Sequence, residues 1–245
     1  MNLIVDVGNT RIKYSVFSNG EEVHAAASTH DAAITVTNEL LSTYPKLQKA
    51  IVSSVRKDTT ELVKYLNSKM YTIEFDHSTP IPIKIRYKTP HTLGPDRIAA
   101  AAGANKLISN KELLVIDMGT AITIDYVNAR GEFIGGNIAP GMSVRFKSLH
   151  EQFHKLPLEI PQEDTPSIGQ STTEAIRGGV QEGIKHELSG YIHNFTSNNP
   201  AGQIILTGGD AIFFAKTIKY PIFVVCNLAM IGLHTILEYN AENNY

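Results

Sequence analysis

Asp6 closes a short apolar run, Leu3-Ile4-Val5, and opens the turn Asp6-Val7-Gly8-Asn9-Thr10, after which Ile12 to Phe17 resumes a β-rich pattern. Gly8 lets the backbone come close to a ligand, and the turn N–H groups with the Asn9 and Thr10 side chains can cradle phosphate oxygens. A carboxylate beside a phosphate site makes sense only with a cation between them, so Asp6 predicts Mg2+. A second copy follows in Val115-Ile116-Asp117-Met118-Gly119-Thr120 and Ile122 to Val127, with one residue fewer before the threonine. Two phosphate-type turns in one chain suggest a duplicated fold that closes on one nucleotide. A third acid, Asp96, stands in Thr92-Leu93-Gly94-Pro95-Asp96-Arg97, ahead of an alanine-rich segment. It is either a functional acid or an ordinary partner for the dipole of the helix it opens.

The elements that must hold these residues alternate. Leu3 to Val5 reads as a strand buried on both faces. Glu22 to Ala27 adds a strand through an Asn19-Gly20 turn. Asp31 is the expected N-cap of a helix to Ser42, Ala50 to Val55 is a strand, and Asp58 is the expected cap of a helix carrying Leu62, Val63, Tyr65 and Leu66. Ile81 to Tyr87, with prolines nearby, reads as an edge strand or extended loop. Pro95 suits a first helical turn, where its missing N–H costs nothing. The run Ala99 to Ala104 has so little bulk that another helix can approach closely, either within the chain or from a second subunit.

Ser109-Asn110-Lys111 marks the boundary between residues 1–110 and 111–245 as two α/β lobes. In the second lobe Glu132 to Ile138 is a strand, Met142 to Leu156 a helix, Pro157 to Gly169 a loop, and Ser171 to about Phe195 a long helix with Gly178, Gly179 and Gly183 on a small-residue face. Gln203 to Leu206 leads into Thr207-Gly208-Gly209-Asp210, Ile222 to Val225 is the last strand, and Leu228 to Tyr239 the closing helix.

Composition excludes several classes. A length of 245 residues suits one large or two small domains, and a net charge of −2 shows no basic surplus for a nucleic-acid partner. A single cysteine rules out an internal disulfide or a multi-thiolate metal site; Cys226 reads as a small buried hydrophobe of the closing helix. With no basic leader and no membrane-length apolar stretch, the expected location is the cytoplasm, away from membranes. The chain contains neither G-x-x-x-x-G-K-[ST] nor G-x-G-x-x-G. It does contain His150-Glu151-Gln152-Phe153-His154, an H-E-x-x-H on an expected helix, with Glu174 placed as a third zinc ligand. That metallopeptidase reading leaves both acidic turns and the Gly-x-Asp-Arg segment without a purpose.

The two D-x-G turns and the late Thr-Gly-Gly-Asp turn resemble the actin, sugar-kinase and heat-shock-chaperone ATPase superfamily. That resemblance implies two similar lobes of actin-like, ribonuclease H-like fold with a nucleotide cleft between them. Asp6-x-Gly-Asn-Thr, Gly94-x-Asp-Arg97, Asp117-x-Gly-Thr-Ala121-x-Thr123, Gly135-Gly136-x-Ile-x-Pro-Gly141, Leu156-Pro157 and Ile168-Gly169-x-x-Thr172 occur in this order. Together they resemble the type III pantothenate kinases over nearly the whole chain, with Pro95 standing where alanine is more usual. The resemblance implies ATP-dependent phosphorylation of pantothenate, the committed step toward coenzyme A, in a homodimer with its active site at the subunit interface. It also implies site roles. Asp6, Val7, Gly8, Asn9, Thr10, Arg11, Ile12 and Lys13 bind the ATP phosphates with Mg2+. Thr120 touches the nucleotide, and Asp117 helps hold a monovalent cation, K+ or NH4+. Tyr87, Gly94, Pro95, Asp96, Arg97 and Thr172 contact pantothenate, with Asp96 as general base. Either Arg11 or Lys13 can reach phosphate, and Arg97 grips the pantothenate carboxylate, a phosphate oxygen or a neighbouring acid. Other small-molecule kinases of the superfamily and a non-catalytic nucleotide-binding regulator are the remaining alternatives.

Overall fold

The computed structural model describes residues 1–55 and 59–243. The chain forms two units: Met1–Leu107 joined by the closing helix from Leu228 on, and Ile108–Asn227.

In the first unit β1 (Asn2–Val7) pairs antiparallel with β2 (Ile12–Ser18), which pairs antiparallel with β3 (Glu21–Ser28). The β2–β3 turn is Asn19-Gly20, both residues at positive φ (52° and 85°), the geometry an Asn-Gly hairpin supplies. After α1 (Ala33–Thr43), β4 (Lys49–Ser54) lies parallel to β1 on its other side. After α2 (Thr60–Asn67), β5 (Tyr71–Phe75) extends the sheet to the order β3-β2-β1-β4-β5. Leu3, Val5 and Val7 on one face of β1 join Leu40 of α1 and Leu62, Val63 and Leu66 of α2 in one core. Only Lys84–Ile85 (β6) of the segment Ile81–Tyr87 is regular, as its prolines require. The helix α3 (Pro95–Leu107) closes this part of the chain, with Pro95 in its first turn.

The second unit repeats the plan. Its strands are β7 (Leu113–Met118), β8 (Ala121–Val127) and β9 (Glu132–Pro140), which form an antiparallel meander. The helices α4 (Met142–Gln152) and α5 (Thr172–Asn198) follow. Then β10 (Gln203–Thr207) lies parallel to β7, α6 (Ala211–Ala215) crosses, and β11 (Phe223–Val224) lies parallel to β10. Leu114, Ile116 and Met118 pack with Phe146 of α4 and with Val180, Ile184 and Leu188 of α5. The last helix, α7 (Leu228–Glu242), returns to the first unit.

Several expectations change. The first unit is discontinuous, because α7 packs on α3, β1 and β4. A Cβ on Gly232 would overlap the Ala99 carbonyl, and one on Gly103 the Leu228 carbonyl, so the two backbones touch. The alanine face of α3 is therefore an internal packing surface, whereas Gly179 and Gly183 of α5 have open space around them. The N-cap of α1 is Ala32, with no side-chain cap, so Asp31 does not cap it. Asp58 lies outside the described residues. Helix α4 stops at Gln152, with Phe153 extended, four residues short of Leu156. Cys226 is exposed and precedes α7.

Candidate active site

The first acidic turn follows from strand pairing. Val7 and Ile12 are opposite partners, so residues 8–11 form the whole connection, and the Gly8 N–H donates to the Arg11 carbonyl at 3.1 Å. A Cβ on Gly8 would sit 3.2 Å from that oxygen, leaving little tolerance for a side chain. Val7 and Ile12 are buried, each at 2% exposure, so they offer a ligand only their backbone. Asn9, Thr10, Arg11 and Lys13 are exposed. The His30 ring, which the sequence did not point to, lies 3.4 Å from the Asn9 carbonyl.

Asp6 is paired in register with Lys13, and β2 begins only at Ile12, so Lys13 is on the strand and Arg11 is in the turn. Even-numbered β1 residues face α7 and α3: Asn2 donates to His234 and Glu238, and Asp6 lies close enough to Asp96 to feel its charge. Burial pushes the Asp6 carboxyl above its ordinary value; Lys13 draws it back, and Asp96 adds to the rise. The expected phosphate turn and the expected general base therefore belong to one unit.

Asp96 is exposed in the first turn of α3, and its Oδ1 accepts the Arg97 N–H at 2.9 Å. A Cβ on Gly94 would meet the movable end of the Asp96 side chain, at Oδ1. Arg97 is 5% exposed, and its guanidinium lies 5.8 Å from the centre of the half-buried Tyr87 ring. Tyr87, Gly94, Pro95, Asp96 and Arg97 thus form one local cluster.

In the second unit Met118 pairs with Ile122, so the connection is residues 119–121, one shorter than the first. Gly119 N–H donates to the Ala121 carbonyl at 3.0 Å, and Thr120 is exposed. Asp117 is half-buried and pairs in register with Thr123 on one side and Thr207 on the other. Gly208, at φ 92°, lies against Asp117; a Cβ there would be driven onto its carboxylate and the Met118 backbone. Asp210 N–H donates to the Met118 carbonyl at 3.0 Å. The Thr-Gly-Gly-Asp turn therefore braces the second acidic turn. Thr172 is the first residue of α5, exposed and away from these strands in the chain. Ser171 caps that helix by accepting from Glu174 N–H, and Glu174 Oε2 accepts the Gln170 N–H at 2.7 Å. Glu159 holds the preceding loop onto α5 through Thr173 and Arg177, each at 2.8 Å.

Among the described residues no group of three or more His, Cys, Asp or Glu side chains is placed to hold a metal ion. His154 lies beyond the end of α4, His150 Nδ1 bonds the Leu156 carbonyl at 2.8 Å, and Glu174 is engaged in its helix cap. The zinc-peptidase constellation does not assemble. A lone crowded carboxylate with a neighbouring acid, as at Asp6, instead suits a cation bound mainly through substrate phosphates.

Two units, each a three-strand antiparallel meander followed by parallel strands and each carrying its acidic turn at the end of the central strand, define a duplicated ATPase of the actin-like type. A model of the type III pantothenate kinase family matches residues 2–194. The type III pantothenate kinase of Phocaeicola vulgatus is 41% identical over 241 residues, covering 98% of this chain and 99% of that one. The chain belongs to the type III pantothenate kinase family. Solved structures show the same fold at low identity. A Campylobacter jejuni protein described as a Baf family transcriptional activator has a TM-score of 0.64 at 23% identity, covering 98% of this chain and 99% of its own. A ROK family glucokinase from Streptomyces griseus, in complex with glucose and AMPPNP, has a TM-score of 0.52 at 10% identity, covering 97% and 99%.

Proposed function

We propose that the protein transfers the terminal phosphoryl group of ATP to the primary hydroxyl of pantothenate, giving 4'-phosphopantothenate in the first step of coenzyme A biosynthesis. Family membership supports the reaction. The observation that carries the chemistry is the pairing of Asp6 with Lys13 across the first acidic turn, in the same unit as Asp96 at the start of α3.

In this reading the turn from Asp6 to Lys13 holds the ATP phosphates with backbone N–H groups, the Asn9 and Thr10 side chains, and the Lys13 or Arg11 cation. The crowded Asp6 carboxylate would hold a Mg2+ carried by the nucleotide, which when bound would supply charge neutralisation at the phosphoryl oxygens. Thr120 touches the nucleotide, and Asp117, braced by Gly208, takes a monovalent cation, K+ or NH4+. Tyr87, Gly94, Pro95, Arg97 and Thr172 seat pantothenate. Asp96 accepts the hydroxyl proton as the new O–P bond forms and the bond to the ADP oxygen breaks. A loose transition state needs little early deprotonation, so holding the hydroxyl in line is the larger part of that role. The working form is a homodimer with its site at the subunit interface, and the protein is cytoplasmic. No helix among the described residues is long and apolar enough to cross a membrane.

The test is an ADP-release assay with pantothenate as acceptor, run with and without potassium. Pantothenate-dependent release, stimulated by potassium, is expected. No release under either condition would overturn the assignment and favour another acceptor of the superfamily.

A further inference from the structure

We infer that Arg145 and Glu187 form a positioning strut for the second acidic turn, acting on Thr120 through the Pro140-Gly141 peptide. The Gly141 N–H donates to the Thr120 carbonyl at 2.9 Å. A Cβ on Gly141 would overlap the carbonyl oxygens of both Gly119 and Thr120, so this peptide lies directly on the turn. One turn into α4, Arg145 Nε donates to the Pro140 carbonyl at 2.8 Å, and its Nη2 donates to Glu187 Oε2 at 2.6 Å. Glu187 lies within α5, the longest helix of this unit, so the guanidinium ties the turn's outer support to a rigid element.

Arginine is suited to this place. Its planar fork fixes two acceptors at once in a set geometry, which the single point charge of lysine does not. The opposite flank of the turn is already held by backbone, through the Asp210 N–H on the Met118 carbonyl. The Gly141 flank is also met by backbone, through the Gly141 N–H on the Thr120 carbonyl and the pairing of Ala121 with Pro140, and there the Arg145 side chain adds a second hold on the supporting peptide. The strut therefore steadies the peptide on which the Thr120 backbone rests, without itself meeting the reacting atoms.

This rests on the reading that Thr120 touches the nucleotide and Asp117 a monovalent cation, and the experiment separates the two. Steady-state kinetics are measured for Arg145→Ala, Arg145→Lys, Glu187→Gln and Thr120→Val, with thermal midpoints. Displacing a contacting group by a fraction of an ångström to one ångström costs about ten- to a hundredfold. Arg145→Ala is expected to raise the KM for ATP and the potassium activation constant on that scale, with the pantothenate KM within about twofold of wild type. Arg145→Lys keeps one of the two contacts and is expected to fall between, and Glu187→Gln, which keeps the acceptor, to lie near wild type. Arg145→Ala/Glu187→Ala should be no worse than Arg145→Ala, as for residues acting as one unit. If Thr120→Val raises the ATP KM while Arg145→Ala and Arg145→Lys leave it unchanged and only lower the thermal midpoint, the strut is overturned and the role of Thr120 stands. If Thr120→Val leaves the ATP KM unchanged, the nucleotide contact of Thr120 falls, and the strut falls with it.

Discussion

The surroundings of Asp6 disfavour its charge. Burial and the neighbouring Asp96 both raise its carboxyl above the ordinary value, and Lys13 offsets only part of this. A carboxylate so placed destabilises the empty fold once it ionises, in return for a binding charge that a phosphate-bound cation can use. Asp6→Asn should therefore raise the thermal midpoint of the ligand-free protein, by about 2–4 °C for each 1 kcal/mol relieved, while ATP turnover is lost. Thermal denaturation without ligand, beside the ADP-release assay, checks both halves; a lower midpoint would mean that Asp6 is satisfied in the empty protein. Asp96→Asn should lower turnover by about 10²–10⁴-fold with ATP binding intact, the range for general base assistance. Gly94→Ala makes a sharper probe, because the atoms its Cβ would meet first are those of the movable Asp96 carboxylate and the Arg97 side chain. Turnover should fall towards that of Asp96→Asn with little change in midpoint, and wild-type turnover would separate Asp96's orientation from its role. At this scale the sequence was informative because each acid stood beside a glycine whose purpose was local. That Lys13 stands opposite Asp6 while Arg11 lies in the turn is a matter of strand register, which a single sequence does not print. Cys226, expected to be buried, is exposed in the connection just before α7.

At the scale of elements, the crossing of α3 and α7 is the tightest helix contact of the first unit. Gly103 and Gly232 stand where any Cβ would enter the other helix's backbone. Overpacking typically costs about 1–3 kcal/mol, and here the obstacle is backbone, which cannot rotate aside. Gly232→Ala should thus destabilise the protein by about 3 kcal/mol or more, read as a lower urea midpoint at unchanged slope. A wild-type midpoint would show that the helices can part without loss. The alanine run was visible in the sequence, but its partner was not, since pairing residues so far apart leaves no local periodicity to read. β5 escaped notice for a related reason: Tyr71-Thr-Ile-Glu-Phe75 is a short strand that exists through its parallel pairing with β4. The sequence pattern overextends α4, because apolar Phe153 and Leu156 continue it although Phe153 has left the helix.

Across the whole molecule, the duplication was legible because each half carries its own acidic turn, and strand order β3-β2-β1-β4-β5 repeats as β9-β8-β7-β10-β11. The return of α7 to the first unit was not legible, since it is decided by side chains far apart in the chain. His234 of that helix stacks on Phe17, with ring centres 4.3 Å apart, and its Nε2 lies 3.1 Å from Asn2 Nδ2, which also donates to Glu238. Lys49 Nζ reaches the same Glu238 oxygen at 3.1 Å. As Asn2 Nδ2 is a donor, His234 Nε2 must accept, and a second ring proton would break that bond. Burial lowers the His234 pKa below its ordinary 6.5; Glu238 opposes this, while Lys106, Lys49 and the amino terminus add to it. Because the folded protein binds this proton less readily than the unfolded chain, the contribution is complete above pH 6.5 and is lost as pH falls through the folded value. Burial works to raise the Glu238 carboxyl, yet hydrogen bonds from Lys49 and Asn2 and the charges of Lys49 and His234 bring it below its ordinary 4.5, so its own share is lost only in more acid solution. The thermal midpoint should therefore drop between pH 7 and pH 5, by about 2–4 °C for each 1 kcal/mol lost, and His234→Gln, whose amide can still accept from Asn2, should remove most of that slope. Equal slopes in the two proteins would show that the hold of α7 on β1 does not depend on His234 staying neutral.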